Sequence, residues 1–129
     1  MKVNTKNIGG KVVRENDTYI LEDNTLLNNL TLSKTTLKPG MSTNGHHHDE
    51  EDEVYFFTKG WANMIIGDEL EMAKAGDIFL VPAGKFHKVV NSHSENFTCE
   101  FICVFQKYNR DSDVAIYGDS DQDSQPFGD

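Results

Sequence analysis

The chain has 129 residues, 37% of them hydrophobic, and a formal charge of −9 with histidine neutral. That length supports one domain around one core, and the acidic balance excludes a nucleic-acid surface, which needs clustered Lys and Arg against phosphate. No apolar run approaches the ~20 residues of a membrane span, and the opening MKVNTKNIGGKVVREN lacks the apolar centre of a signal peptide, so a cytoplasmic protein without membrane attachment is expected.

Residues 1–18 are polar, with Gly9-Gly10 and Asn16-Asp17 as turn signals. Lys11 to Arg14 and Thr18 to Glu22 suit short edge strands or a hairpin, and Asn24 to Asn29 is a connection. Leu30 to Lys38 alternates apolar with Ser and Thr positions and stops at Pro39-Gly40, as a strand does. Glu53 to Thr58 puts Glu53, Tyr55 and Phe57 on one face and Val54 and Phe56 on the other. Lys59-Gly60 turns into Trp61 to Ile66, Gly67-Asp68 into Glu69 to Ala73, and Lys74 to Asp77 into Ile78 to Val81. After a loop over Pro82 to Phe86 come His87 to Val90 and the longest strand, Phe97 to Gln106.

Short strands with a turn signal between each pair describe an antiparallel sandwich or barrel. No segment keeps a 3.6-residue apolar period, so little helix is expected. The layout is N-terminal edge strands over 1–29, a barrel core over 30–108 and an acidic tail over 109–129. That tail is too poor in apolar residues to offset its chain entropy and is expected to be largely flexible. Cys99 and Cys103 share a face with Phe97, Phe101 and Phe105, and about 13 Å of extended strand separates them, so buried free thiols are expected.

The chemistry concentrates in GMSTNGHHHDEEDEVYFFTKG and in GDIFLVPAGKFHKVVN. His46 and His48 are two apart, which in a strand turns both imidazoles to one side. Glu53 follows at the head of VYFF, and His87 comes after a second apolar strand and a Pro-Ala-Gly turn. Three imidazoles and a carboxylate meeting inside a small barrel make a site for one divalent transition metal, with about two positions open on a six-coordinate ion. Fe, Mn, Co, Ni, Cu and Zn all suit this set. His47 points away from its neighbours, and His93 lies in a polar turn. Glu50, Glu51 and Asp52 read as a solvated loop, with Glu51 the alternative should Glu53 be out of register.

These two stretches resemble the paired motifs of the cupin superfamily. Gly40, His46, His48, Glu53 and Gly60 match the first motif; Gly76, Pro82, Gly84, His87 and Asn91 match the second. The resemblance implies an all-β, antiparallel double-stranded β-helix, or jelly roll, with His46, His48, Glu53 and His87 as metal ligands. A finer likeness lies in TTLKPG, STNGHHH and DEVYFFTKG, which are similar to words of cupin-type phosphoglucose isomerases. It implies that Thr35, Thr43, Gly45 and Tyr55 surround a sugar or sugar phosphate. It also implies that Glu53 or Tyr55 moves a proton between neighbouring carbons while the metal stabilises an enediolate. Two alternatives stay open: an Fe(II)-dependent dioxygenase of a small chelating substrate, lined by Phe57, Phe79, Phe86 and Phe101, and a non-catalytic ligand-binding cupin. Apolar residues on both faces of the last strand, with Trp61 and Phe56 expected at the surface, suggest a homodimer.

Overall fold

A computed structural model describes residues 1–45, 51–91 and 97–107. The expectations for His46, His47, His48, His93 and the acidic tail lie outside these residues. Nine strands make up the described fold: β1 (Lys11–Glu15), β2 (Tyr19–Asn24), β3 (Leu30–Leu37), β4 (Glu53–Lys59), β5 (Trp61–Ile66), β6 (Glu69–Lys74), β7 (Ile78–Val81), β8 (His87–Val90) and β9 (Cys99–Gln106). Six form one sheet in the order β1-β2-β3-β9-β4-β7, and three form another in the order β6-β5-β8. Every named pairing is antiparallel. No helix occurs among the described residues. The architecture is the expected all-β double-stranded β-helix.

Alternation along each strand decides what faces inward. In β4 the odd positions Glu53, Tyr55 and Phe57 are buried while the even ones are half-exposed. Neighbouring strands keep register, so inward side chains line up in rows across the larger sheet. Thr31, Phe105, Glu53 and Val81 form one row. Asp23, Ser33, Cys103, Tyr55 and Phe79 form the next, and Leu21, Thr35, Phe101 and Phe57 a third. Phe101 holds the aromatic centre: its ring lies 5.5 Å from that of Tyr55 and 5.2 Å from that of Phe57. The core is therefore most apolar in the third row, where Thr35 is the polar member, and more polar in the two rows that hold Asp23, Ser33, Tyr55, Thr31 and Glu53.

Two details differ from the sequence reading. The last strand starts at Cys99, and Phe97 stands 55% exposed before it. Trp61 and Phe56 are half-buried; Val12, Leu30, Ile78 and Leu80 are exposed apolar residues on the outer face of the larger sheet, the last two at 60% and 73%. Both cysteines are buried thiols outside any disulfide. Gly60 serves the β4–β5 turn for two reasons: its φ of +72° suits glycine, and a Cβ there would stand 2.5 Å from the Thr98 carbonyl oxygen.

Candidate functional site

Glu53 and His87 open their strands, β4 in one sheet and β8 in the other, and meet inside the barrel. The His87 Nε2 lies 3.2 Å from Glu53 Oε1, and both residues are almost wholly buried. A carboxylate so deep in protein needs a positive partner. The other imidazole nitrogen identifies the partner's character. His87 Nδ1 lies 2.9 Å from the Lys85 carbonyl oxygen, which only accepts, so Nδ1 carries the hydrogen. In the neutral ring Nε2 then presents a lone pair toward a carboxylate oxygen. Two lone pairs at this spacing require a cation between or beside them, a proton or a metal ion. Two bonds of ~2.1 Å at a right angle place their donor atoms about 3.0 Å apart, close to the observed spacing. The donor set therefore fits a metal.

Among the described residues no three His, Cys, Asp or Glu side chains converge; Glu53 and His87 form a pair, and His46 and His48 lie outside those residues. The approach to that segment is described. Residues 41–43 run beside β8: Ser42 bridges Val90, Asn91 N donates to Met41 O at 2.8 Å, and Thr43 N donates to Val89 O at 2.9 Å. Continued by one register step per residue, this pairing brings Gly45 level with His87.

The residues expected to surround a substrate divide by what their side chains already do. Thr43 Oγ1 accepts from Val89 N at 2.9 Å, so its hydroxyl fastens the chain to β8. Thr35 and Ser33 are fully buried on the inner face of β3, and their hydroxyl oxygens have no hydrogen-bond partner. Tyr55 is fully buried, its ring edge-on to His87 at 5.6 Å. Gly45 lies under Phe86, whose ring would stand 1.8 Å from a Cβ at that position. Asn91, the last residue of the second motif, is a fastener: its Nδ2 donates to the carbonyls of Leu37, Lys38 and Phe97 at 3.0 to 3.2 Å.

Sequence reasoning missed two contacts. Asp52, read as part of a solvated loop, accepts from Ala83 N at 2.9 Å through Oδ1. Phe86, expected to line a pocket, has its ring over Gly45. Pro82 offered a signal for the first: a proline at a strand end lacks an N–H, so the next N–H must find an acceptor elsewhere.

The profile described as the cupin domain matches residues 33–105, more than half of the chain. The chain belongs to the cupin family. Among solved structures, this cupin is similar to KdgF from Halomonas sp. (TM-score 0.66, 17% identity, covering 80% of this chain and 89% of that one). It is also similar to an RmlC-like cupin from Shewanella frigidimarina (TM-score 0.67, 17% identity, 81% and 89% covered). A third likeness is to a predicted oxalate decarboxylase from Thermotoga maritima (TM-score 0.65, 21% identity, 82% and 100% covered). Identities this low speak for the fold alone. One curated relative, an uncharacterized HTH-type transcriptional regulator, YdiP, from Escherichia coli K12, is 39% identical over 59 residues. That match takes in 43% of this chain and 20% of the regulator, so the cupin spans about a fifth of its curated relative.

Proposed function

We propose that this cupin is a metal-dependent enzyme that interconverts a sugar or small carbonyl compound with its isomer. The observation that carries the reading is the buried Glu53–His87 pair at 3.2 Å, with the imidazole hydrogen already committed to Lys85. His46 and His48 would complete the ligand set with one divalent transition ion. When bound, that ion would supply Lewis acidity toward a substrate carbonyl. The chain's own groups do the rest. Glu53 or Tyr55 carries a proton between adjacent carbons, Thr35 and Gly45 contact the substrate, and Thr43 keeps the β8 edge in place.

The barrel's charge selects among sugars. Among the described residues, the buried Asp, Glu, His, Lys and Arg side chains of the inner face are Asp23, Glu53 and His87. The buried cation, Lys34, faces the other way and is held by Glu100 at 3.1 Å. Residues outside the described ones add only Arg110 as a Lys or Arg. A phosphate would meet carboxylates and hydroxyls, so an unphosphorylated hydroxy-carbonyl compound fits better than a sugar phosphate. The likeness to a predicted oxalate decarboxylase of Thermotoga maritima supports an enzyme acting on a small molecule.

The match to a transcriptional regulator supports a second reading, a ligand-sensing cupin without catalysis. One set of assays separates the readings. Isomerisation of free aldoses or ketoses under anaerobic conditions with Mn²⁺ or Zn²⁺ supports the enzyme. Oxygen uptake by the iron-loaded protein replaces it with a dioxygenase. Ligand binding with no turnover replaces it with a sensor. A homodimer formed through the outer face of the larger sheet, where Ile78 and Leu80 are exposed, completes the proposal.

A further inference from the structure

We propose that Asp52 and Phe86 are positioning residues that hold Glu53 and His87 at ligand spacing; the inference rests on the metal-binding reading above. Each stands one residue before a ligand. The β4–β7 ladder ends at the Glu53–Val81 pair, because Pro82 has no N–H to continue it. Asp52 carries the connection past the proline by accepting from Ala83 N at 2.9 Å. The turn beyond is closed by Lys85 N donating to Pro82 O at 3.2 Å, and the Lys85 carbonyl then receives His87 Nδ1. One carboxylate thus ties the strand that presents Glu53 to the turn that fixes the tautomer and direction of His87.

Phe86 secures the other side of that turn. Its carbonyl accepts from Gly67 N at 2.8 Å, anchoring it to the β5–β6 hairpin. Its ring, 43% exposed, takes the space a side chain at position 45 would need. Gly45 does not adopt a left-handed φ, so glycine is needed there for room and not for backbone freedom. Phe86 therefore meets Gly45 through its ring and the β5–β6 hairpin through its carbonyl, one residue before His87. Groups that orient metal ligands without touching the ion typically govern 10- to 100-fold in affinity.

Chelator competition with Zn²⁺ and with Mn²⁺ on untagged protein tests this, together with melting of the metal-free variants. D52A is expected to weaken metal binding by ~10-fold. D52N keeps the Oδ1 acceptor and is expected to stay within about 3-fold of wild type, a rescue that separates the hydrogen bond from simple charge. G45A and F86A should each weaken binding by ~10-fold, and the double variant should be no worse than F86A alone, because the collision has gone. Metal-free melting of D52N and F86L is expected to match wild type, which keeps the test valid should an alanine variant fold poorly. D52A binding as tightly as wild type overturns the proposal, as does D52N falling with D52A, or additive losses for G45A and F86A. Wild-type protein that binds neither ion overturns the metal reading itself. Tight wild-type binding with unaffected variants overturns the positioning role alone.

Discussion

At the scale of single residues, position on a strand decides chemical fate. Cys99 shares the inner face with Phe101 and Cys103, and burial, with Glu100 beside it, pushes its thiol up to about 12. The thiolate is the reactive form, so native protein at pH 8 should react with a thiol reagent only as fast as it unfolds; fast native labelling of Cys99 would contradict its burial. The sign of the linkage follows. A thiol whose folded value lies above its unfolded one, near 9.0, favours the folded state below that pH. The contribution is lost as pH rises from about 9 toward about 12. Urea midpoints over that window should fall less in Cys99→Ala than in wild type. His87 is the opposite kind of residue, buried so that Nδ1 is held by the Lys85 carbonyl and Nε2 faces the Glu53 carboxylate. His87→Ala should abolish stoichiometric metal binding in equilibrium dialysis, and Glu53→Gln should weaken it by 100-fold or more.

At the scale of elements, the strands were legible because period-two alternation and Gly or Pro punctuation are local signals. Eight of the nine expected strands start within a residue of their observed positions, and the ninth begins at Cys99 where Phe97 was expected. Phe97 misled because it continues the alternating apolar pattern, yet it lies before the pairing with Leu37 begins. Long-range fasteners were not legible. Lys34, a charged residue within β3, is buried, paired with Glu100 and donating to the Lys6 carbonyl. Asn91 was visible as a motif residue, but its three acceptors come from β3, the residue after it and the lead into β9. Asn91→Ala should cost about 2 to 3 kcal/mol in chemical denaturation, since buried carbonyls lose their donor; a loss under ~0.5 kcal/mol would deny the fastening role. Of the site, the identities of Glu53 and His87 were readable from motif spacing, whereas Asp52–Ala83 and Phe86–Gly45 depend on how distant turns meet.

At the scale of the whole molecule, two sheets present opposite requirements. The inner faces bury an aromatic centre and a polar end with Glu53 and His87. The outer face of the larger sheet leaves Ile78 and Leu80 exposed on β7, an edge strand. If a second copy covers that face, Ile78→Lys with Leu80→Lys should convert a dimer to a monomer in sedimentation equilibrium, and unchanged association would place the interface elsewhere. Metal binding should also stabilise the whole fold, by ~2.7 kcal/mol at a free concentration 100 times Kd.

The central claim is that a cation bridges the two sheets between His87 and Glu53. The most direct measurement is an anomalous-difference map from crystals of untagged protein grown with Mn²⁺ or Zn²⁺. The account predicts one strong peak per chain, within about 2.3 Å of His87 Nε2 and of a Glu53 oxygen. A map with no peak between those atoms, in protein whose side chains keep their 3.2 Å approach, would contradict it.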